Sequence, residues 1–361
     1  MKILCIHASA GAGHFKAAEA IYNGIRKSTD HDVVLVDALD HSSFLFKKFY
    51  KETYFFLISR LPFVWGFFFW LLDMPWLQPV IRFLRRFQNR LNTAGLHQFL
   101  QKEQFDYIFM THFMPTEVAA ALKRSGLISS KLITVVTDFD VHKIWIAEGI
   151  DMYTAASDWT RGKLENLGIS FYKILVSGIP TDEKFSSPVD ISELKKKLEL
   201  REDIFTVLVA TGSFGIGPIE DIIYEIKGFQ VIVVCGHNKD LFKKLSAKNS
   251  RLVHVMGLVD NMHELMAVSD VMVTKPGGLS ISEALVSHLP LVFFNAIPGQ
   301  ETGNIRVLKS YGLGISGCSI TQIGEQLKKM RSSKDMFLTT LKRTKALARP
   351  CAVSDIISLI K

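Results

Sequence analysis

Eleven short, continuous apolar segments limit the folds that this sequence can adopt. They are KILCIH, DVVLVDA, FDYIFMT, KLITVVTD, MYTAAS and KILVSG in the first half, then FTVLVATG, QVIVVCG, RLVHVMG, DVMVTK and PLVFFNA. Amphipathic helical patterns separate them. Strands that are apolar on both faces are typical of parallel sheets covered by helices. We therefore predict an α/β fold with doubly wound parallel sheets.

The strand–helix alternation restarts in the second half, which predicts two domains. The segment 177–190, SGIPTDEKFSSPVD, has two prolines and few apolar residues and is interpreted as a linker. We predict Rossmann-like domains over residues 1–179 and 180–361, with the last helix packing back on the first domain. Such sheets bind ligands at the carboxyl ends of their strands. The predicted site is thus a cleft across which the two domains face each other.

Residues 44–104 interrupt the alternation between the second and third strands. This insertion holds twelve of the 26 phenylalanines and nine Lys/Arg against three Asp/Glu, much of the net charge of +8. Its longest apolar piece, residues 61–72, is shorter than the roughly 20 residues that span a bilayer. Aromatic residues mixed with basic ones are typical of helices lying on anionic membranes. The predicted contacts with membrane or acceptor are Trp65, Phe68, Trp70, Arg82, Arg85 and Arg86; the alternative is a buried helical pair or a dimer interface.

Cysteine usage and the first residues predict the compartment. Cys5, Cys235, Cys318 and Cys351 are scattered without metal-ligand spacing, which favours a reducing environment. The start, MKILCIH, lacks the apolar core of a signal peptide. We therefore expect a peripheral protein on the cytoplasmic face of a membrane. A nucleic-acid partner is disfavoured because the basic excess is interleaved with phenylalanines.

Three loops in the second half have the residues to bind a nucleotide sugar. In ATGSFGIGP (210–218), three glycines allow close backbone approach, and the helix start can bind phosphate. In TKPGGLSISEAL (274–285), another helix start suits a diphosphate, and Glu283 suits ribose hydroxyls. The alternative for Glu283 is favourable placement against the helix dipole. In NAIPGQETGN (295–304), Gln300 and Glu301 pair an amide with a carboxylate, which suits sugar hydroxyls.

Histidines and aspartates follow three strands of the first half. His14 lies in ASAGAGHFKAAEA, His112 in THFMPTE, and Asp138, Asp140 and His142 in VTDFDVHKIW. Parallel strands bring these loops to one sheet edge. A zinc site of His14, His112 and His142 is an alternative that the absence of HxH or HxxxH spacing disfavours.

The ordered motifs resemble those of the monogalactosyldiacylglycerol synthase and processive diacylglycerol glucosyltransferase family, within glycosyltransferase family 28. The motifs are GAGH, TDFDVHKIW, ASDWTRGKL, SGIPTDEKF, ATGSFGIGP, VTKPGGLSISEAL and PGQETGN. More distantly, the chain is similar to the N-acetylglucosaminyltransferase that makes the lipid-linked peptidoglycan precursor. KPGGLSISEA is closer to the glucosyltransferase form and SAGAGH to the galactolipid form.

The resemblance implies a GT-B fold, with the acceptor in the N-terminal domain and a UDP-sugar in the C-terminal one. It implies inverting transfer of galactose or glucose from UDP-hexose to the sn-3 hydroxyl of diacylglycerol at a membrane surface. The implied partners are the UDP-sugar, diacylglycerol and anionic lipids, with no cofactor and no metal needed for the chemistry.

The resemblance also implies roles for single residues. His14 is the expected general base, kept neutral by the helix dipole, and Asp138 either orients it or is itself the base. Glu283 would bind ribose, and Gln300 with Glu301 the hexose. Gly13 and His112 are assigned to the acceptor. The predicted donor site comprises Gly212, Ser213, Phe214, Gly215, Gly257, Val259, Pro276, Gly277, Gly278, Leu279, Ser280, Glu283, Gln300 and Glu301.

Other functions fit the sequence less well. An NAD-dependent dehydrogenase is disfavoured because neither glycine turn matches GxGxxG with an acidic residue about 20 positions later. A UDP-sugar epimerase would have no use for the insertion. The alternatives are therefore another UDP-sugar-dependent GT-B enzyme, either a lipid-linked N-acetylglucosaminyltransferase or an epimerase, and a non-catalytic, membrane-associated UDP-sugar-binding regulator. The oligomeric state stays open.

Overall fold

The chain divides into two compact units. The computed structural model describes residues 1–9, 11–213, 215–248, 250–294, 296–315 and 319–361; at 51, 54, 55, 58, 59, 75, 82 and 85–90 only the backbone is described. Unit 1 comprises Met1–Asp182, Ile297–Gly303 and Cys351–Lys361, and unit 2 comprises Glu183–Ala296 and Asn304–Pro350. Residues 297–303, which we expected in the C-terminal domain, thus belong to unit 1.

Unit 1 is built on a six-stranded parallel sheet in the order β2-β1-β3-β4-β5-β6. Its strands are β1 Lys2–His7, β2 Asp32–Asp37, β3 Tyr107–Met110, β4 Lys131–Val135, β5 Met152–Ala155 and β6 Ile174–Val176. Its helices are α1 Ala12–Ser28, α2 Phe44–Arg60, α3 Pro62–Leu71, α4 Gln78–Asn92, α5 Ala94–Glu103, α6 Phe113–Arg124 and α7 Asp158–Asn166, together with α16 Ala352–Ile357 near the end of the chain.

Unit 2 is built on a five-stranded parallel sheet in the order β11-β10-β7-β8-β9. The strands are β7 Thr206–Ala210, β8 Gln230–Val234, β9 Val253–Met256, β10 Val271–Thr274 and β11 Leu291–Phe293. The helices are α8 Ile191–Lys197, α9 Ile219–Glu225, α10 Lys239–Ser246, α11 Met262–Ala267, α12 Gly278–Val286, α14 Ile320–Ser332 and α15 Lys334–Leu347; α13, Gln300–Ser310, begins in the segment that belongs to unit 1.

Burial on both faces explains the continuous apolar runs. In β1, Leu4 and Ile6 pack into one hydrophobic cluster, whereas Ile3 and Cys5 pack into another. A strand that contributes to two cores is therefore predominantly apolar on both of its faces. All eleven predicted strands form, and both sheets are parallel, so the prediction of two Rossmann-like units is confirmed.

The insertion forms four helices, α2 to α5. Helix α3 starts with Pro62, whose fixed φ suits the first turn of a helix. None of the residues of α3 is buried, so the alternative of a buried helical pair does not apply to this helix. Within the described residues, no helix combines the length and apolar character needed to cross a bilayer.

The last residues of the chain complete unit 1. Helix α16 packs on α1 so closely that a Cβ atom on Gly24 would lie 2.4 Å from Cγ1 of Val353. Ile356 is buried with β1 and β3 side chains, and the backbone N–H of Lys361 donates to the Tyr107 hydroxyl at 3.0 Å. These final eleven residues therefore contribute to the same core as the first strand.

Candidate active site

The carboxyl ends of β1, β3 and β4 bring three loops of unit 1 together. Because these strands are neighbours in the sheet, His14, His112 and Thr137 lie side by side. The rings of His14 and His112 stand edge to face with centroids 4.7 Å apart, and Trp145 lies 6.1 Å from His14. The expected assembly of the first-half histidine loops at one sheet edge therefore forms around His14.

The His14 ring is held by two threonines. Its Nδ1 atom lies 2.7 Å from the Thr111 carbonyl oxygen and 3.0 Å from the Thr137 hydroxyl. The Thr111 hydroxyl in turn donates to the His14 carbonyl at 2.8 Å. Since a carbonyl oxygen can only accept, Nδ1 carries the proton, and Nε2 has the lone pair of the neutral ring.

Burial keeps the ring neutral. Removal from water, with a smaller contribution from His7, lowers the pKa of His14 to about 4, although the Thr111 hydrogen bond opposes the shift. A contribution of the helix dipole to the neutral state of the ring stays a prediction. Burial likewise lowers the pKa of His112 well below its usual value. The Nδ1 atom of His112 accepts the backbone N–H of Met114 at 3.1 Å and so caps α6.

Asp138 is paired with Gln300. The side-chain Nε2 of Gln300 donates to both carboxylate oxygens of Asp138, at 3.0 and 3.1 Å. Glu301 accepts the backbone N–H of Ile297 at 2.7 Å. Thr111 and Thr137, and not Asp138, contact the Nδ1 atom of His14 and orient the ring. Gln300 and Glu301 lie in unit 1, whereas the other predicted donor residues lie in unit 2.

The turn after β7 packs against the loop after β8, and this contact requires Gly215. A Cβ atom on Gly215 would lie 2.0 Å from the Cys235 carbonyl oxygen, and one on Gly236 would lie 2.3 Å from the Ser213 carbonyl oxygen. Gly212, with φ of +78°, has open space instead. The following helix α9 has Glu220 and Asp221 in its first turn, so acidic groups already complement its dipole. Phe214 lies outside the described residues.

The turn after β10 is better suited to an anion. Helix α12 begins after Gly277, which provides no side-chain cap, and has no acidic residue in its first turn. Asn304 donates to the Pro276 carbonyl oxygen at 3.0 Å and fixes the turn. Glu283 is half-buried in the second turn, too far along the helix for the dipole alternative.

The remaining predicted donor residues share this edge of unit 2. The Gly257 carbonyl oxygen accepts the N–H of Gly236 at 3.2 Å, which joins the loops after β8 and β9. Gly278 is buried; Ser213, Val259, Leu279 and Ser280 are exposed or half-buried at the carboxyl ends of the strands.

The predicted membrane residues differ in position. Phe68 and Trp70 are exposed, whereas Trp65 is half-buried with its ring 6.2 Å from that of Phe69. Gly13 is half-buried beside His14 in α1. The side chains of Arg82, Arg85 and Arg86 lie outside the described residues.

Three threonines were missed by the sequence reasoning. Thr111 and Thr137 orient His14, and Thr211, at the end of β7, has a buried hydroxyl oxygen without a partner among the described residues. Each lies at the carboxyl end of a predicted strand segment, which is the one signal that could have found them.

A histidine zinc site does not form. The described part of the chain contains no group of three His, Cys, Asp or Glu side chains able to hold a metal ion. Both ring nitrogens of His142 are engaged elsewhere: Nε2 with the Phe69 carbonyl oxygen at 2.9 Å and Nδ1 with the Ile144 N–H at 3.0 Å. Chemistry without a metal stays a prediction.

Comparisons with known proteins place the chain in a class. Residues 14–181 match the monogalactosyldiacylglycerol (MGDG) synthase family, and residues 192–304 match the glycosyltransferase family 28 C-terminal domain. Over 100% of this chain and 99% of the other, the fold is similar to that of Acinetobacter baumannii MurG, with a TM-score of 0.62 at 12% identity. Anabaena HepE in complex with UDP-glucose gives 0.56 at 16% identity, covering 99% and 98%. The fold is thus GT-B, and the sequence of the second half is similar to that of family 28 glycosyltransferases.

A full-length relative identifies the branch of that class. The chain is 29% identical over 361 residues to the processive diacylglycerol beta-glucosyltransferase of Staphylococcus aureus strain MRSA252, covering 92% of this chain and 88% of the relative. The two matches together make the chain similar to the monogalactosyldiacylglycerol synthase and processive diacylglycerol glucosyltransferase family over most of its length.

Proposed function

We propose that this protein transfers a hexose from a UDP-hexose to the 3-hydroxyl of diacylglycerol, with inversion, at a membrane surface. Glucose is the first candidate, because the relative at 29% identity is named a glucosyltransferase. The observation that carries the proposal is the neutral His14 ring, held at Nδ1 so that Nε2 has a lone pair.

His14 supplies the base for the acceptor. Its Nε2 takes the proton of the glycerol hydroxyl while that oxygen forms its bond to the anomeric carbon, and the bond from this carbon to UDP breaks. A single displacement of this kind inverts the anomeric centre. A positioned base of this type contributes about 10²- to 10⁴-fold to the rate. The lowered pKa leaves the ring unprotonated at neutral pH, so that the Nε2 lone pair is available for the hydroxyl proton.

Unit 2 is assigned the UDP part of the donor. The uncapped start of α12, at Gly277 and Gly278, offers backbone N–H groups to the leaving diphosphate. Glu283 is assigned to the ribose. The solved complexes of HepE with UDP-glucose and of Staphylococcus aureus MnaA with UDP support a nucleotide donor for this fold.

The insertion is assigned to the lipid surface. Large apolar side chains of α2 to α4 face solvent, among them Phe44 at 77%, Phe63 at 83% and Phe83 at 68% exposure. A globular protein seldom leaves so many aromatic side chains in water unless a partner covers them. The local excess of basic residues favours an anionic bilayer over a second copy of this chain, whose equal charge would repel it.

The central test separates the two hexoses. Purified protein is incubated with diacylglycerol vesicles and either UDP-glucose or UDP-galactose, and the lipids are resolved by mass. We expect monohexosyl diacylglycerol with UDP-glucose; product only with UDP-galactose would reassign the donor. No glycolipid from either donor would reject the proposal in favour of a non-catalytic or differently specific protein.

A second test addresses the membrane. The triple variant Arg82→Gln, Arg85→Gln, Arg86→Gln should weaken co-sedimentation with vesicles containing phosphatidylglycerol, because each basic residue contributes about 1 kcal/mol near an anionic surface. The matched control is Lys195→Gln, Lys196→Gln, Lys197→Gln on α8, which removes the same charge outside the insertion. Equal loss in both variants, or in neither, would argue against an interfacial insertion; self-association that vesicles do not relieve would indicate a dimer interface.

A further inference from the structure

Helix α3 has an inner side that is built onto residues 297–303. A Cβ atom on Gly66 would lie 2.6 Å from Cβ of Pro298, and one on Gly299 would lie 2.6 Å from Cδ1 of Phe69. Neither glycine has room for a side chain, so α3 and the 298–299 backbone are in direct contact. Both partners belong to unit 1.

His142 fixes Phe69 from the other direction. Its Nδ1 accepts the N–H of Ile144, so the proton is on Nε2, which donates to the Phe69 carbonyl oxygen at 2.9 Å. The His142 ring also packs on the Phe69 ring, with centroids 4.1 Å apart. A second tie follows in the chain, where Lys143 Nζ donates to the Asp73 carbonyl oxygen at 2.6 Å.

Residues 297–303 form a hydrogen-bonded segment that includes Gln300. The segment is closed on itself by the bond from Ile297 N–H to Glu301 and by a 3.0 Å bond from the Gly299 N–H to Thr302 Oγ1. Gln300 reaches both oxygens of Asp138. A displacement of the 298–299 backbone would therefore be transmitted to the Gln300–Asp138 pair.

The outer side of α3 faces solvent. Phe63, Phe67 and Trp70, spaced i, i+4 and i+7, share one helix face and are all more than half exposed. The same ten-residue helix thus presents an aromatic face outward and holds the Gln300 segment inward.

We propose that Phe69 is a positioning residue that couples lipid contact at the outer face of α3 to the Gln300–Asp138 pair. The proposal rests on the proposed membrane-surface hexosyl transfer. Binding of a bilayer to Phe63, Phe67 and Trp70 restrains α3, and Phe69 transfers that restraint to residues 297–303. Lipid binding then orders the pair before diacylglycerol arrives, which lets the protein distinguish a membrane from dispersed acceptor.

The test reads the coupling without requiring catalysis. Amide hydrogen exchange of residues 297–303 is measured with and without vesicles of phosphatidylcholine and phosphatidylglycerol that contain no diacylglycerol. We expect vesicles to slow exchange by at least about fivefold, the lower end of common couplings between sites. Unchanged exchange while the protein is fully vesicle-bound would overturn the proposal.

Variants of two phenylalanines on α3 distinguish the role of its inner side from that of its outer face. Phe69→Ala should still co-sediment with vesicles but lose the protection of 297–303, and Phe69→Leu should restore part of it. The matched control Phe67→Ala should bind vesicles more weakly, yet show full protection once enough vesicles are present to bind it. Protection retained in Phe69→Ala, or lost equally in bound Phe67→Ala, would overturn the proposal; circular dichroism verifies that both variants are folded.

Transferase activity provides a third measurement of the coupling. In wild type, kcat at saturating UDP-hexose and saturating short-chain diacylglycerol should rise on vesicles, and in Phe69→Ala it should not. Vesicle-dependent protection in a protein that makes no glycolipid would leave the coupling standing and reject the hexosyl transfer. Glycolipid synthesis without protection would do the reverse.

Discussion

The two glycine-rich turns, after β1 and after β7, open similar strand–helix units but have different surroundings. The first turn presents a side chain: His14, clamped by Thr111 and kept neutral by burial. The second presents backbone: Gly215 is pressed against Cys235, while Gly212 has open space. Glycine thus serves two purposes at equivalent places of two Rossmann-like units, and a glycine pattern by itself does not tell a phosphate loop from a catalytic turn.

Among the variants that test this difference between the two turns, we expect His14→Ala to have the largest effect. Loss of the base should lower hexose transfer by about 10²- to 10⁴-fold, whereas UDP affinity, assigned to unit 2, should change little. Transfer assays and isothermal titration with UDP measure the two quantities. His31→Ala, outside the sheet edge, is the matched control. A parallel loss of UDP affinity would reject the role of His14 as base.

Substitutions in the turn after β7 should change the free energy of unfolding and the affinity for UDP. Gly215→Ala places a Cβ against a backbone carbonyl in a left-handed conformation, and should lower the free energy of unfolding by about 2 to 4 kcal/mol. Gly212→Ala, also at positive φ but in open space, should cost only about 1 kcal/mol and act chiefly on UDP binding. Urea unfolding and UDP titration compare the pair. Equal destabilisation by both would contradict packing as the reason for Gly215.

The pH dependence tests the environment of the first turn. With the pKa of His14 at about 4, kcat/KM should stay level as the pH falls through 6.5, the ordinary value. A fall in kcat/KM centred near pH 6.5 that His14→Gln abolishes would contradict a base whose pKa is lowered.

The free energy of unfolding should depend on pH in the same range. The unfolded chain protonates His14 and His112 below pH 6.5, whereas the folded chain does not. The free energy of unfolding should therefore fall between pH 6.5 and 4, and less so in His14→Gln.

The smallest effect concerns the hydroxyl beside His14. Thr137→Val removes one contact of Nδ1 and leaves the Thr111 carbonyl, so we expect a loss of about 1 kcal/mol, or about fivefold in kcat. Thr134→Val is a matched control on β4, since the Thr134 hydroxyl is buried and has no partner within the described ranges. That control should keep full activity and equal or greater stability. A rate loss in Thr134→Val as large as that in Thr137→Val would indicate a packing effect.

Sequence patterns predicted the local and topological parts of this molecule. The eleven strands were readable because each lies between two apolar layers, and parallel strands necessarily bring the His14, His112 and Thr137 loops to one edge. The sequence did not indicate which residues far apart in the chain would be in contact. Nothing in PGQETGN indicates that Gln300 would meet Asp138, 162 positions away, or that Phe69 would lie on Gly299.

The same limit applies to the insertion and to the charge state of His14. An aromatic run predicts contact with lipid but not which helix face is inward, so Trp65 was grouped with Phe68 and Trp70 although it is half-buried. For His14 the helix start was visible in the sequence, whereas burial, which depends on residues from three strands, was not.

The packing of α16 on α1 has a consequence for synthesis on the ribosome. Unit 2 is encoded almost wholly between residues 183 and 350, inside the sequence of unit 1. Its sheet is complete while the ribosome still holds the residues that cover α1 and Tyr107. Unit 2 is therefore free to fold before the core that Cys351–Lys361 complete. A nascent chain arrested before residue 351 would leave one side of the β1 sheet open to chaperones and proteases.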